Sequence, residues 1–382
     1  MTRNTLVAAC IAAVSLLPAS AVAQTDAPAP SIERARELFA EKRPTEALAV
    51  LRRLPPGAEV ARLRVEIALS IDDFPQAVDA YDELAGPLKS PSNDVLRSIA
   101  RRRAVTLRPH TDPQVRVEAC ETLMLAAAAP DCAEELQAAA NDASSGIDIR
   151  LTAARALFEH NVRGAAALLD AVIRQGMQNS PATTATALEQ LPASVSNEPL
   201  KQLLTSSNAD AQYLATLALT RRRLPDAIPL LRTVATDPEA GAARLMAYIG
   251  LAALNQPDGI RILRETLPLT KGRDRLEAAR ALVVLKDPEG PKILESLLTS
   301  EHEMLRVETA ELLYSTRSPR AAAALTAATE SSNQWIRTAA IAAAARVGMP
   351  LTRSVRNAVA NSSPRVALAA SRAILLDLRA RR

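Results

Sequence analysis

Few side chains in this sequence have the types and spacing that acid–base or metal chemistry requires. The three histidines, His110, His160 and His302, lie far apart, and none has a second ligand at a helical i, i+4 position. We interpret each as an exposed loop or helix-end residue. The chain also contains no glycine-rich phosphate loop, no Gly-x-Ser-x-Gly elbow and no zinc-protease helix. The sequence therefore predicts no metal, no cofactor and no enzymatic activity.

Two cysteines, Cys120 and Cys132, are the remaining candidates for covalent chemistry if an N-terminal leader is removed. Chains in an oxidising compartment usually pair their cysteines. Helix geometry argues against this pair. If the first helix extends to Ala128, Cys120 lies about 12 Å below its end, whereas a disulfide needs Cα atoms within about 7 Å. A disulfide and two small buried thiols both stay open as interpretations.

Arginine recurs at a regular interval along the chain. The last four members of the series are evenly spaced, and we call this constant spacing the repeat period. A row of guanidinium groups can bind carboxylates of a partner, but it can also bond acidic or carbonyl groups of the adjacent repeat, and we favour this structural role. The members of this arginine ladder are Arg116, Arg150, Arg244, Arg275, Arg306 and Arg337.

A series of prolines keeps the same repeat period. Pro257, Pro288, Pro319 and Pro350 each follow one of the last four arginines of the ladder at a constant offset. Proline is disfavoured in a helix interior and favoured in turns and first helical turns, and the stretches between these prolines are apolar at helical spacing. Each repeat is therefore a helical hairpin that buries its apolar face by stacking. We predict an all-α fold, with a right-handed α-solenoid of stacked hairpins over residues 87–382.

One repeat carries a family resemblance. The stretch from Asp112 to Arg116, Asp-Pro-Gln-Val-Arg, resembles the opening helix of HEAT-like repeats of the phycobilisome-lyase type. It departs from that pattern in lacking a glycine after the first helix. Members of this class act as scaffolds, adaptors and occasional enzyme subunits. Residues 31–86 instead resemble a tetratricopeptide unit, through the stretch from Phe74 to Tyr81, which implies tetratricopeptide-like hairpins ahead of the solenoid.

The first residues have the layout of a secretory signal peptide. Arg3 precedes an apolar run, and small residues lead to a cleavage site between Ala23 and Gln24, so residues 1–23 form the leader and 24–30 a linker. The residues up to Cys10 also resemble a lipoprotein signal, but their apolar core is shorter than the roughly 7 residues required. We expect a periplasmic protein with no transmembrane segment in the mature chain.

Composition narrows the class of partner. Without Arg3 the chain has 45 basic and 42 acidic residues, which is too even for a polyanionic partner. One Trp, four Tyr and three Phe leave few aromatic platforms for nucleic acid. We expect a scaffold or adaptor whose concave surface binds protein partners of the cell envelope. Two other functions stay open: an accessory subunit or lyase-like chaperone of cofactor attachment, which the resemblance implies, and binding of an envelope polymer.

The C-terminal run from Arg365 to Arg382 has a separate expectation. It alternates apolar and basic residues at helical spacing. The terminal repeats of solenoids keep a polar outer face, because no further repeat covers them. We therefore predict that this run is a terminal capping helix with its outer face in solvent.

Overall fold

The computed structural model describes residues 29–89, 92–126, 130–192 and 194–381. Within these ranges the chain consists of α-helices, short 3-10 turns and loops, and no strand occurs. The prediction of an all-α solenoid is therefore confirmed. The predicted leader, its cleavage site at Ala23 and Gln24, and most of the linker lie outside the described residues.

Helices follow one another with short connections along the whole described chain. Many begin with a proline in the first turn or with a Ser, Thr, Asp or Asn cap, as the repeated punctuation predicts. The helices are α1 (Ile32–Ala40), α2 (Pro44–Leu51), α3 (Ala58–Ser70), α4 (Phe74–Ala85), α5 (Asn93–Leu107), α6 (Pro113–Leu125), α7 (Pro130–Asn141), α8 (Ile147–Glu159), α9 (Ala165–Asn179), α10 (Pro181–Glu189), α11 (Glu198–Leu203), α12 (Ala209–Arg222), α13 (Ile228–Thr236), α14 (Gly241–Ala253), α15 (Pro257–Thr266), α16 (Gly272–Val284), α17 (Glu289–Leu297), α18 (Glu303–Tyr314), α19 (Pro319–Ala328), α20 (Gln334–Arg346), α21 (Arg353–Asn357) and α22 (Pro364–Ala380).

From α6 onward the helices alternate between two layers. The even-numbered helices form an inner layer, in which each contacts the next, from α6 to α22. The odd-numbered helices form an outer layer, and each contacts an even-numbered neighbour in sequence. Ahead of these layers, α1 pairs with α2 and α3 pairs with α4, so residues 32–85 form two helical hairpins. The tetratricopeptide character of these hairpins stays a prediction.

The inner layer closes into a ring. Helix α22 packs against α6, at the other end of the layer, and also against α5. Its buried residues run from Val366 to Leu378 and cover more than one face. Ile374 lies in one apolar cluster with Ile99 of α5 and Phe74 of α4. The expectation of a terminal cap with a solvent-facing outer surface is therefore wrong, because this helix joins the two ends of the solenoid.

Ion pairs also join the two ends of the ring, and they share one arrangement of charge. Arg353 and Arg356 of α21 both contact Asp82 of α4, at 2.9 and 2.8 Å. Arg372 of α22 contacts Glu121 of α6 at 2.5 Å. In these pairs the cation comes from the C-terminal end and the carboxylate from the N-terminal end. The two ends of the solenoid thus match in charge as well as in apolar surface.

The turns after four consecutive inner helices, α14, α16, α18 and α20, share one backbone geometry. Asn255, Lys286, Arg317 and Gly348 are each separated from the next by one repeat period, and each has a positive φ of 58° to 67°. After Asn255, Lys286 and Gly348, the next backbone N–H returns to a carbonyl in the last turn of the helix, as in a Schellman motif. At the first three of these turns, residues with side chains thus occupy the left-handed region that glycine usually occupies.

Replacing Lys286 by glycine is expected to raise the free energy of unfolding by about 0.5–1 kcal/mol, because a side chain in the left-handed region strains the backbone. Urea unfolding followed by circular dichroism measures the change. Gly348→Ala is the matched control at the equivalent turn, where φ is 67° and no atom lies within 4 Å of an added Cβ. It is expected to lower stability. Unchanged or lowered stability in Lys286→Gly would contradict the account.

Candidate functional site

The closed ring is narrow enough for side chains to meet across its inner face. Packed helices lie about 8–10 Å apart, so the nine inner helices of the described chain give a radius of about 13 Å to the helix axes. Each helix with its side chains takes up about 5–6 Å of that radius. The remaining space is comparable to the length of an arginine side chain. Charged residues on different inner helices can therefore reach one another.

Arg221, in the last turn of α12, is the centre of one cluster of ion pairs. Its guanidinium contacts Glu189 of α10, Glu277 of α16 at 2.5 Å, and Glu308 of α18 at 3.9 Å. The fully buried Glu277 also accepts from Arg280 at 3.0 Å. Burial lowers the pKa of Arg221, but attraction to Glu277 and Glu189 outweighs it and the pKa is raised. One side chain thus ties four inner helices together.

Glu121 of α6 is the centre of a second cluster. Its carboxylate is almost fully buried and accepts from Arg155 of α8 at 2.9 Å and from Arg372 of α22 at 2.5 Å. Glu159 lies 3.9 Å from Arg155. Burial lowers the pKa of Arg372, but Glu121 raises it by more, so the net shift is upward. This acid therefore joins the first, second and last inner helices at the closure.

The inner face remains partly accessible to water between these clusters. Arg346 of α20 contacts Glu311 of α18 at 2.7 Å, and its side chain is 60% exposed. At the edge of this face, Arg273, the second residue of α16, contacts Glu308 at 2.8 Å and is 44% exposed. Cations and carboxylates alternate here and are paired with each other. A ligand that enters the ring therefore has to compete with ion pairs that the chain already makes.

Comparison with known proteins identifies part of this architecture. Residues 197–283 and 270–346 match the family model of HEAT repeats. This segment carries HEAT repeats. It contains inner helices α12 to α20, and HEAT repeats in general act as scaffolds for protein interactions. The match does not extend to residues 31–86 and does not distinguish the phycobilisome-lyase type. No curated protein matches the chain.

The arginine ladder lies at the starts of the inner helices, away from the two clusters. Each of its arginines donates to a backbone carbonyl shortly before its own helix. Arg150 donates to the carbonyl of Ala140 at 3.0 Å, and Arg306 to that of Ser300 at 2.6 Å. The same type of bond is made by Arg116, Arg244, Arg275 and Arg337. In the HEAT repeats, this contact ties each inner helix to the end of the helix before it.

The structure brings Cys120 and Cys132 together. Helix α6 ends at Leu125, so Cys120 lies closer to the turn than a helix extending to Ala128 implies. Cys132 lies in the first turn of α7. Both are buried free thiols in one apolar cluster, and Cys120 contacts Glu135, three residues after Cys132 on α7. The helix-length argument against the pair therefore fails, while the disulfide itself stays a prediction.

The three histidines stay apart in the structure. His160 caps the C-terminus of α8, where burial lowers its pKa. His302 precedes α18, and His110 accepts the backbone N–H of Asp112 at 3.0 Å. In the ranges that the structure describes, no group of three or more His, Cys, Asp or Glu side chains is placed to hold a metal. No helix in these ranges is long and apolar enough to cross a membrane.

The charges of the inner face are not predicted from the sequence. Glu277 and Glu308 are separated by one repeat period, so they hold the same position in consecutive HEAT repeats. That spacing is a signal that could have identified them. Arg221 and Arg372 have no arginine or lysine one repeat period away in either direction. Their roles depend on which helices meet across the ring.

Arg221→Leu is expected to lower the free energy of unfolding by about 3–5 kcal/mol, because it removes a cation from the buried carboxylate of Glu277 and the partly buried one of Glu189. Adding Glu277→Gln to the same chain is expected to recover part of the loss, since one buried charge disappears. Arg346→Leu is the control, and this exposed pair is expected to contribute less than about 1 kcal/mol. Guanidinium unfolding measures all three variants. Equal losses for Arg221→Leu and Arg346→Leu would contradict this assignment.

Glu118 of α6 is expected to make the stability of the fold depend on pH. Burial raises the pKa of its carboxyl above the ordinary value, although Gln114 donates to it at 2.7 Å. A raised folded-state pKa means that the stability from this group is present below the unfolded pKa and is lost as pH rises through the folded pKa. Glu118→Gln is therefore expected to raise the thermal midpoint at about pH 7 and not at about pH 4. The same gain at both pH values would argue against burial as the cause.

Proposed function

We propose that this protein is a periplasmic scaffold or adaptor that binds another protein of the cell envelope through one edge of its HEAT repeats. The match at residues 197–346 supports protein binding, because HEAT repeats commonly serve this purpose. The leader-like pattern of residues 1–23 supports export. The proposal goes beyond these two observations in naming the surface and the compartment.

Exposed apolar side chains at the starts of three consecutive inner helices carry the proposal. Met304 and Trp335 are the second residues of α18 and α20, and they are 37% and 56% exposed. One repeat period separates them, so they hold the same position in consecutive HEAT repeats. Leu269, in the turn just before α16, is 78% exposed. We refer to Leu269, Met304 and Trp335 as the apolar edge.

The apolar edge suits protein recognition better than the inner face of the ring does. Methionine and aromatic residues are enriched at protein interfaces, where tryptophan often contributes most of the binding energy. The inner face is lined by paired charges such as Arg221 with Glu277. A partner that separated such a pair would leave a buried charge without its counterion, which is strongly unfavourable. The expected concave site is therefore replaced in this proposal by the edge.

Trp335 is held in place before any partner binds. The guanidinium of Arg365, at the start of α22, lies 4.8 Å from the centre of the indole ring. This cation–π contact favours one orientation of a side chain that is otherwise exposed. A side chain that is already ordered loses less conformational entropy on docking. The contact thus supports Trp335 as the central anchor of the edge.

The test is to crosslink the tagged protein in its own cells and identify the proteins that co-purify from soluble and membrane fractions. The edge variant carries Leu269→Ser, Met304→Ser and Trp335→Ser. The control carries Ile71→Ser and Val105→Ser, at positions that are 40% and 39% exposed far from the edge in sequence. We expect one reproducible envelope partner with the unmodified protein and the control, and at least a tenfold loss with the edge variant.

Two results would contradict the proposal. If the edge variant recovers as much partner as the control does, and the two have the same thermal midpoint, the apolar edge is not the binding surface. Failure to recover any reproducible partner would remove the scaffold function. A cofactor-bearing partner would favour the accessory or lyase-like role instead, and co-sedimentation with purified sacculi would favour polymer binding.

A further inference from the structure

Cys120 and Cys132 are placed for covalent pairing by the hairpin that carries them. Cys120 lies five residues before the end of α6, and Cys132 is the third residue of α7. Both side chains are buried, with exposures of 1% and 0%. Both belong to one apolar cluster, and the Sγ of Cys120 reaches Glu135, which follows Cys132 by three residues on α7. Each thiol thus has the other as a neighbour inside the packed hairpin.

The surroundings of the two thiols differ in a way that favours reaction. The Sγ of Cys120 donates to Oε2 of Glu135 at 3.1 Å, and Glu135 in turn accepts from Arg108 at 2.9 Å. Proximity to Cys120 and to the Arg108 guanidinium lowers the pKa of Cys132. Cys132 lies in the first turn of α7, where the helix dipole stabilises a thiolate. Cys132 therefore has the character of the first nucleophile, and Cys120 attacks second.

We propose that Cys120 and Cys132 form an intramolecular disulfide, which ties α6 to α7, whenever the chain folds under oxidising conditions. The bond lies outside the apolar edge and outside the two charge clusters. It is a covalent staple within a single hairpin of the ring, and it is independent of the scaffold function.

The reaction requires a disulfide donor, such as oxidised glutathione or a protein disulfide. The thiolate of Cys132 attacks one donor sulfur, which breaks the donor S–S bond and releases one donor thiol after it takes up a proton. Cys120 then loses its proton to a buffer base, and its thiolate attacks the Cys132 sulfur, which releases the second donor thiol after it takes up a proton. The chain loses two protons and two electrons, and the donor gains both. The exchange runs during folding, once α7 has formed and before α6 packs fully against it, because both sulfurs are buried in the folded chain.

Peptide mapping tests the bond directly. The chain from Gln24 onward is unfolded with reductant, refolded in a glutathione redox buffer, alkylated with iodoacetamide in denaturant and digested with trypsin. The peptide from Val117 to Arg150 contains both cysteines and no internal Lys or Arg, so one mass reports on the pair. We expect this peptide to carry no alkyl group and to be two hydrogens lighter than the dithiol. Prior reduction is expected to give two alkyl groups.

Two mapping results would overturn the proposal. The first is two alkyl groups on the refolded, unreduced peptide, and the second is a glutathione adduct on either cysteine. Because this experiment uses purified protein in a defined buffer, its failure is separate from any failure of the export or scaffold proposals.

A stability measurement provides an independent check. Oxidised protein is expected to melt about 3–6 °C above reduced protein, because the bond restricts the unfolded chain. Cys132→Ser is the matched control, and its midpoint is expected not to respond to reductant. A redox-independent midpoint in the unmodified protein would contradict a staple between α6 and α7.

Discussion

The packing of α22 against α5 and α6 is the contact on which the rest of the structure depends. An open solenoid exposes the apolar face of each terminal repeat unless a cap covers it. Here the two ends cover each other, through an apolar cluster that joins Ile374 to Ile99 and through ion pairs such as Arg356 with Asp82. Closure fixes the curvature of the inner layer. The curvature brings charged side chains of distant inner helices into contact.

Those charges explain why the inner face and the edge of the ring have different roles. Arg221 and Glu121 each join several inner helices, so their clusters stabilise the closed form. The arginine ladder acts between layers, where it bonds backbone carbonyls. Neither group leaves a free guanidinium row for a partner. The exposed apolar residues at or just before the starts of α16, α18 and α20 form the surface that we propose binds a partner. This surface lies on the HEAT repeats.

Local periodicity in the sequence predicted the hairpins, but it could not predict contacts between residues far apart in the chain. Prolines at a constant interval indicated the helix starts, because proline is disfavoured in the interior of a helix. Closure joins residues such as Asp82 and Arg356, which are 274 positions apart, and no repeat relates them. The apolar residues on several faces of α22 were the available signal, and they were interpreted as a cap. The cysteine pair shows the same limit. Placing the end of α6 three residues too late led to the conclusion that Cys120 and Cys132 are too far apart for a disulfide. The ion pairs of the inner face were not predictable from local periodicity, because their partners meet only when the ring closes.

A distance between α5 and α22 tests the closed ring most directly. Spin labels at Ser98→Cys and Arg379→Cys, both exposed, would be placed in a chain whose own cysteines are serine, and pulsed electron resonance would measure their separation. Neighbouring helices lie about 8–10 Å apart, so the closed ring predicts a narrow distribution below about 25 Å, label linkers included. An open stack of the nine inner helices would separate the same labels by roughly 70 Å. A dominant population near that longer distance would contradict the account.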